Sequence, residues 1–337
     1  MATPLWHADY LPLWIGGAIR GRVRGDVVPI LRALPEIETA EVGLRLRGPL
    51  EATCAVRSAA LQAIARSLDA AGLIADWRDE SSVLLDEQGE ELARCERGAF
   101  RTLGLQNRAV HVNGWRSDGR LWIARRSALK RADPGKLDNL AAGGVSADES
   151  PHRCALRELW EEAGVPAALA GQVDFPGMVI RSLRETTFGV HDELVIVADL
   201  LLPDDFVPVG RDGEVESFAC LDRDAVESAL ASGAFTVEAA LATRESLDRQ
   251  RVPGSARHAR RRRLRHRAHH LRLAEERRCH RRPDQRLALL RLAQRVRQRL
   301  VRLRRHWPLQ LGDVGFGGHQ RRHASVHHLP ARQHRSV

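Results

Sequence analysis

Apolar and polar residues alternate with a period that changes several times along the chain, and each change predicts an element. Over VRSAALQAIARSLDAAGL (56–73) apolar side chains recur at helical spacing and Gly72 marks a stop, which predicts a helix. AEVGLRL (40–46) and SSVLL (81–85) are short alternating stretches that read as strands. RAVHVNGW (108–115) and RLWIARR (120–126) are strand-like runs joined by Ser117-Asp118-Gly119, a hairpin signal. RADPGKLDNLAAGG (131–144), punctuated by Gly and Pro, reads as a loop. Further strands are predicted at QVDFPGMVI (172–180), ELVIVADLLL (193–202) and EVESFACL (214–221). A helix fits DRDAVESALASG (222–233), with Asp222 as N-cap and Gly233 as stop.

ESPHRCALRELWEEAGV (149–165) also has helical spacing. Ser150 suits the N-cap, Pro151 the first helical position, and Gly164 the residue past the end. At 100° per residue, Ala155, Leu156, Leu159, Trp160 and Ala163 form the face predicted to be buried. Glu158, Glu161 and Glu162 share an arc of roughly 100° on the opposite side. Like charges at that spacing repel by a few tenths of a kcal/mol per pair, and Glu161 and Glu162 lie at the negative end of the helix dipole. Arg157, four residues before Glu161, offsets only part of this. The strands and two helices together predict an α/β fold, a mixed sheet covered on both faces, preceded by a small α+β unit.

The net charge of +10 invites a nucleic-acid reading, but its distribution does not support one for the body of the protein. Residues 251–337 hold 25 Arg, no Lys and four acidic residues, whereas residues 1–250 carry a net charge of −11. Eleven of the 15 His also fall in that tail. Three readings of the tail stand: a disordered basic arm for nucleic acid, a basic amphipathic helix (around 287–303) for a membrane surface or partner, or the product of a shifted reading frame. Arg without Lys, among abundant His, Ala, Leu and Pro, favours the last. The predicted organisation is an N-terminal unit over 1–104, a second over 105–249, and the Arg/His-rich tail over 250–337, disordered or frame-shifted. Five scattered Cys without a CxxC pair argue against a disulfide framework or zinc site. No apolar run reaches the ~18–20 residues of a membrane span, and the N-terminus lacks a signal-peptide pattern. A cytoplasmic protein is expected.

The crowded carboxylates belong to a larger pattern. Gly143, five residues, Glu149, seven residues, then Arg157-Glu158-Leu159-Trp160-Glu161-Glu162-Ala163-Gly164-Val165 fits G-x5-E-x7-R-E-U-x-E-E-x-G-U at every defined position. This resembles the Nudix box, the loop–helix–loop of hydrolases that cut a diphosphate linked to another moiety. The resemblance implies an α/β/α sandwich and a divalent cation, Mg2+ or Mn2+. It implies Glu158, Glu161 and Glu162 as metal ligands, Gly143 as a carbonyl ligand, Arg157 as the group that positions the carboxylates, and Glu149 as an outer orienting group. Several carboxylates on a rigid helix suit a hard cation that bridges to phosphate. Which glutamate is the general base stays open.

HVNGW (111–115), LWIARRS (121–127), KRADPGKLDNLAAGG (130–144) and DGEVESF (212–218) resemble one Nudix subgroup with an extra N-terminal domain, some relatives of which are fused to thiamine pyrophosphokinase. The likeness is weak over 1–100, notably at GLIADWRDE (72–80), and clear over 107–248; it stops where the tail begins, Arg-rich sequence replacing the final helix with which the family would continue after FTVEAAL (235–241). The subgroup implies hydrolysis of thiamine diphosphate-like compounds, oxidised or damaged, to the monophosphate. On that reading Arg125, Arg126, Lys130 and Lys136 hold the diphosphate, and Asp138 or Asn139 reads the base or metal shell. A basic surface loop is the simpler alternative for them. Glu214 and Glu216, two apart on one strand face, add a ligand or the base, or are merely exposed. His111 reads as a strand histidine and Cys154 as incidental. ADP-ribose or a nucleoside diphosphate derivative is the alternative substrate, and an RNA-binding or RNA-processing role through the tail is the other class. Oligomeric state is not legible.

Overall fold

The computed structural model describes residues 9–251; the readings made for the remaining tail and for the first eight residues lie outside them. The N-terminal part opens with β1 (Tyr10–Ile15), β2 (Ala18–Arg24), α1 (Val28–Arg32), β3 (Ile37–Thr39) and β4 (Leu44–Leu46). These strands form one sheet in the order β2-β1-β4-β3. α2 (Cys54–Ala70) follows, capped by Thr53 and buried through Leu61, Ile64 and Leu68. β5 (Ser81–Leu85) and β6 (Glu91–Glu96) then pair as a hairpin before the short α3 (Ala99–Leu103). The strand predicted over 40–46 is confined to its last three residues, because residues 40–43 make the turn that returns β4 against β3. One apolar core, drawn from residues 13–105, holds this part together.

The second part is built on β7 (Gln106–Trp115) and β8 (Leu121–Arg126), the predicted hairpin, with Gly119 at φ 84° in its turn. β9 (Leu137–Asp138) and β10 (Ala141–Gly144) occupy the stretch read as a loop. α4 (Pro151–Ala163) and α5 (Ala167–Ala170) come next, then β11 (Val179–Thr186), β12 (Gly189–Leu201), β13 (Val215–Leu221), α6 (Arg223–Ala231) and α7 (Val237–Arg251). The main path of the sheet is β11-β12-β7-β8-β13, with β10 paired to β7 and β9 to β8. β12 and β7 run parallel over ten residue pairs while the other pairings are antiparallel, so the sheet is mixed. Strand alternation sends Val110, Val112, Ala198 and Leu200 to one face, against Ala155, Leu159 and Ala163 of α4. Val195 and Val197 face the other way, against Ala242 of α7. Trp115, Leu121 and Ile123 pack on Val226 and Leu230 of α6 and Ala239 and Leu247 of α7. Helices therefore cover both faces of a mixed sheet, the α/β/α sandwich expected.

Three further predictions shift. The strand placed at 172–180 begins only at Val179, because Pro176 and Gly177 (φ 79°) interrupt it, and it continues through the polar edge sequence RSLRET. The helix expected to be missing after FTVEAAL is present as α7, running to residue 251 before the Arg-rich sequence begins. Its first turn is locked by Glu238, which accepts from Ser182 Oγ (2.7 Å) and Arg184 Nε (3.2 Å) and lies 3.0 Å from His191 Nε2. The third concerns the faces of α4, described below. Among the described residues no helix is long and apolar enough to cross a membrane.

Candidate functional site

α4 starts and stops where its sequence directs. Ser150 Oγ accepts from the Arg153 N–H (3.2 Å), and Gly164 adopts φ 64°, with Val165 N–H closing on Leu159 O (2.9 Å). Its side chains are distributed otherwise than the apolar arc suggests. Glu158 and Glu162 are only 8% and 7% exposed, whereas Trp160 is 47% exposed. The cause is β10, which lies along the helix: Ala142 N–H donates to Glu162 Oε2 (2.8 Å), and the Glu158 carboxylate occupies the space where a side chain at Gly143 would be. Trp160 sits at the edge of the arc, covered by the Arg211 guanidinium 3.8 Å above its ring. The acidic face is thus turned into the protein.

Burial pushes the Glu158 carboxyl up to about 7, although Arg157 pulls the other way. Burial, with Glu158 and Asp138 nearby, holds Glu162 well above the usual carboxylate range. Arg157 fans out over this group: Nε and Nη2 donate to Glu149 (3.0 Å each), and Nη1 to Glu158 (2.6 Å) and Glu161 (3.1 Å). Its bonds to Glu149 keep the guanidinium firmly charged despite burial. Cys154, fully buried, donates weakly to Gly143 O and Gly144 O, and burial raises its thiol far above the ordinary value.

A second acidic group reaches the helix from the loop before β13. One oxygen each of Glu162, Asp212 and Glu214 lie within 4.8 Å of one another. The loop is tied down at Leu202 N–H to Trp115 O (2.7 Å), Val209 N–H to Ala163 O (3.1 Å) and Arg211 N–H to Glu161 O (2.9 Å). Asp212 was not singled out from sequence; its only local signal is the Asp-Gly-Glu turn. Glu216 falls at a bulge between Val215 and Ser217 that breaks the strand alternation, so it is exposed and does not join Glu214.

The basic residues divide. Lys130 Nζ bonds Glu214, and although burial opposes charging Glu214, the ammonium keeps that carboxyl below the usual range. Arg126 Nη1 donates to Asp138 Oδ2 (2.8 Å), which places this pair beside Glu162. Arg125, one residue away on β8, faces the opposite side and donates to Gly135 O (2.8 Å), apart from the carboxylates. Lys136 is half-buried in the turn before β9, its carbonyl accepting from Arg126 N–H (2.9 Å). Asn139 does not line the site: it is buried in a network with His111 Nδ1 (2.9 Å), Asn113 Oδ1 (2.7 Å) and Thr243 Oγ1 (2.9 Å) that ties β7 to α7.

Converging carboxylates, all oxygen donors, beside a glycine and an arginine that bonds several of them, make a group whose chemistry suits a hard cation. Residues 105–240 match the family model described as NUDIX domain. The chain is 32% identical over 221 residues to Nudix hydrolase 24, chloroplastic, of Arabidopsis thaliana, covering 62% of this chain and 59% of that one. It is 37% identical over 143 residues to Nudix hydrolase 20, chloroplastic, of the same plant, covering 42% and 38%. It thus spans little more than half of these relatives' length at most. The crystal structure of DR0079 from Deinococcus radiodurans is 23% identical, with a TM-score of 0.37 over 49% of this chain and 98% of that one.

Proposed function

We propose that this protein is a divalent-cation-dependent hydrolase of small diphosphates, with thiamine diphosphate-like compounds, oxidised or damaged, as its substrate class. The products are the monophosphate and phosphate. The observation that carries the reading is the burial of Glu158 and Glu162 against β10, with Arg157 bridging Glu158 to Glu161. Two carboxylates placed so close resist ionisation, and a cation among them removes the conflict. The donor set fits Mg2+ or Mn2+: Glu158, Glu161 and Glu162 from α4, the Gly143 carbonyl from β10, and Asp212 and Glu214 from the loop. When bound, such an ion neutralises phosphoryl oxygens and acidifies water.

The chain's own groups do the rest. Arg157 keeps Glu158 and Glu161 aimed at one point, and Glu149 holds Arg157 in turn. Glu161, the most exposed of the three, stands at the mouth of the site. Lys130 and Arg126 bring positive charge to the rim, each already paired with a carboxylate. The thiamine-related substrate rests on the flanking sequences HVNGW and KRADPGKLDNLAAGG. The proposal includes the division into 1–104, 105–249 and 250–337, and a cytoplasmic location.

Incubating the full chain with Mg2+ and a panel of oxidised thiamine diphosphate, thiamine diphosphate, ADP-ribose, nucleoside diphosphates and capped RNA tests the reading through phosphate and monophosphate release. Release from none of them refutes it; preference for ADP-ribose keeps the chemistry and replaces the substrate. Cation affinity is expected to tighten as pH rises, because the Glu158 carboxyl, pushed up to about 7, and the Glu162 carboxyl, also raised by burial, give up protons to bind. The sign follows from the raised carboxyls: without cation, the folded protein loses stability as pH climbs from the ordinary carboxylate range through 7. Mn2+ titrations between pH 6 and 8 measure this, with about a tenfold gain per pH unit below 7 for each proton released. A flat profile would contradict the assignment of these two residues.

A further inference from the structure

The carboxylate site is braced from outside the NUDIX domain. The connection from β10 to α4, residues 145–150, carries Glu149, on which Arg157 depends, and the N-terminal part grips this connection at several points. Ala147 N–H donates to Ser81 O (2.8 Å), and Arg94 Nη1 to Asp148 (3.0 Å). Ser146 Oγ donates to Glu80, whose other carboxylate oxygen accepts from Arg97 Nη1 (2.9 Å). The Arg97 guanidinium lies against Gly144, filling the place a side chain there would take. Its charge is also felt at Glu158.

Glu80 and Arg97 are themselves rigidly held. Arg97 N–H donates to Glu80 O (2.8 Å). The buried Glu96 carboxylate accepts from both Arg78 N–H (3.1 Å) and Gly98 N–H (3.0 Å), tying the two stretches together. A continuous path therefore runs Arg97–Glu80–Ser146, through one turn of backbone to Glu149, then to Arg157 and on to Glu158 and Glu161. Sequence gave little sign of it: Glu80 closes the GLIADWRDE stretch without a role of its own there, and Arg97 matches no motif.

We infer that Glu80 and Arg97 are positioning residues for the carboxylate site, so that the N-terminal part is a working portion of it. This rests on the site binding a divalent cation as proposed above. Neither residue touches the reacting atoms; both fix the loop that orients Glu149 and Arg157, and Arg97 sets the height of β10 against Glu158. Outer groups of this kind typically change metal affinity or activity by ~10–100-fold when removed.

The test uses the full chain with Mn2+ as probe, its affinity followed by electron paramagnetic resonance, beside thermal melts and steady-state kinetics. In Arg97→Gln and Glu80→Gln, Mn2+ affinity is expected to fall about tenfold or more and kcat to fall with it, while KM changes little. Glu80→Asp, which keeps the carboxylate, should recover part of the loss. Lower melting temperatures with Mn2+ affinity within twofold of wild type would mean a structural strut only and overturn the inference. If either variant fails to fold, Ser146→Ala decides, because it removes one hydroxyl from the path; unchanged affinity there also overturns it. A wild-type chain that hydrolyses nothing, with affinity still falling in the variants, defeats the hydrolase reading and leaves the positioning role standing. A wild-type chain that binds no Mn2+ defeats both.

Discussion

Glu162→Gln is expected to reduce hydrolysis by roughly a thousandfold or more while leaving the cation-free protein as stable as wild type or more so. The loss follows from removing a ligand that both acidic groups share, since Glu162 belongs to α4 and also approaches Asp212 and Glu214. The stability follows from electrostatics. Glu162 is charged with difficulty because it is buried beside Glu158 and Asp138, and the amide oxygen of Gln still accepts the Ala142 N–H. Neutralising the side chain relieves the repulsion, and the gain grows with pH as the competing carboxylates ionise. Kinetics and thermal melts with and without Mg2+ read the two effects separately. Activity within tenfold of wild type would sink the ligand assignment, whereas a large drop in melting temperature would point to misfolding instead.

Gly143→Ala is expected to cost about a hundredfold in turnover and to weaken Mn2+ binding, with the fold retained. The backbone at Gly143 pairs with Val110 of β7 in ordinary strand geometry, so an alanine is acceptable to the sheet. Its methyl group, however, overlaps the Glu158 carboxylate, which must leave the position Arg157 gives it. Displacing one ligand by about an ångström is enough for an effect of this size. Circular dichroism monitors the fold and Mn2+ titration the site; normal affinity would mean that Glu158 is not a ligand.

These outcomes bear on what could be read from sequence. Features set by neighbours within a few residues were legible: the Ser150 and Asp222 caps, the Gly164 stop, the hairpin at Gly119 and the spacing of the three glutamates. Features set by distant partners were not. β10 hides in AAGG because glycines are needed there for Glu158 and Arg97 to lie against the backbone, and small residues lack a strand signal, while β9 is only the two residues Leu137–Asp138. Trp160 looked like core because its cover, Arg211, lies far along the chain. Arg125 and Arg126 looked equivalent until the strand placed them on opposite faces. Glu158 and Glu162 kept their spacing but not their predicted exposure, and that burial is what most distinguishes a cation site from a solvated acidic face.

The strap from residue 202 to 214 has a consequence for how the domain can vary. It is fastened to Trp115 through Leu202 and to Arg116 and Ser117 through Asp204, then to Ala163 and Glu161 near its end, leaving residues 205–208 between fastenings. Additions inside that span would swell outward from the surface, where Val207 stands exposed, and the acidic pair would not notice. An addition after Arg211 would shift Asp212 and Glu214 along the chain by about 3.3 Å and dismantle their meeting with Glu162. Length variation and chemical constancy are thereby segregated within a dozen residues. New recognition surface can be grafted at one end of the strap without retuning the chemistry at the other.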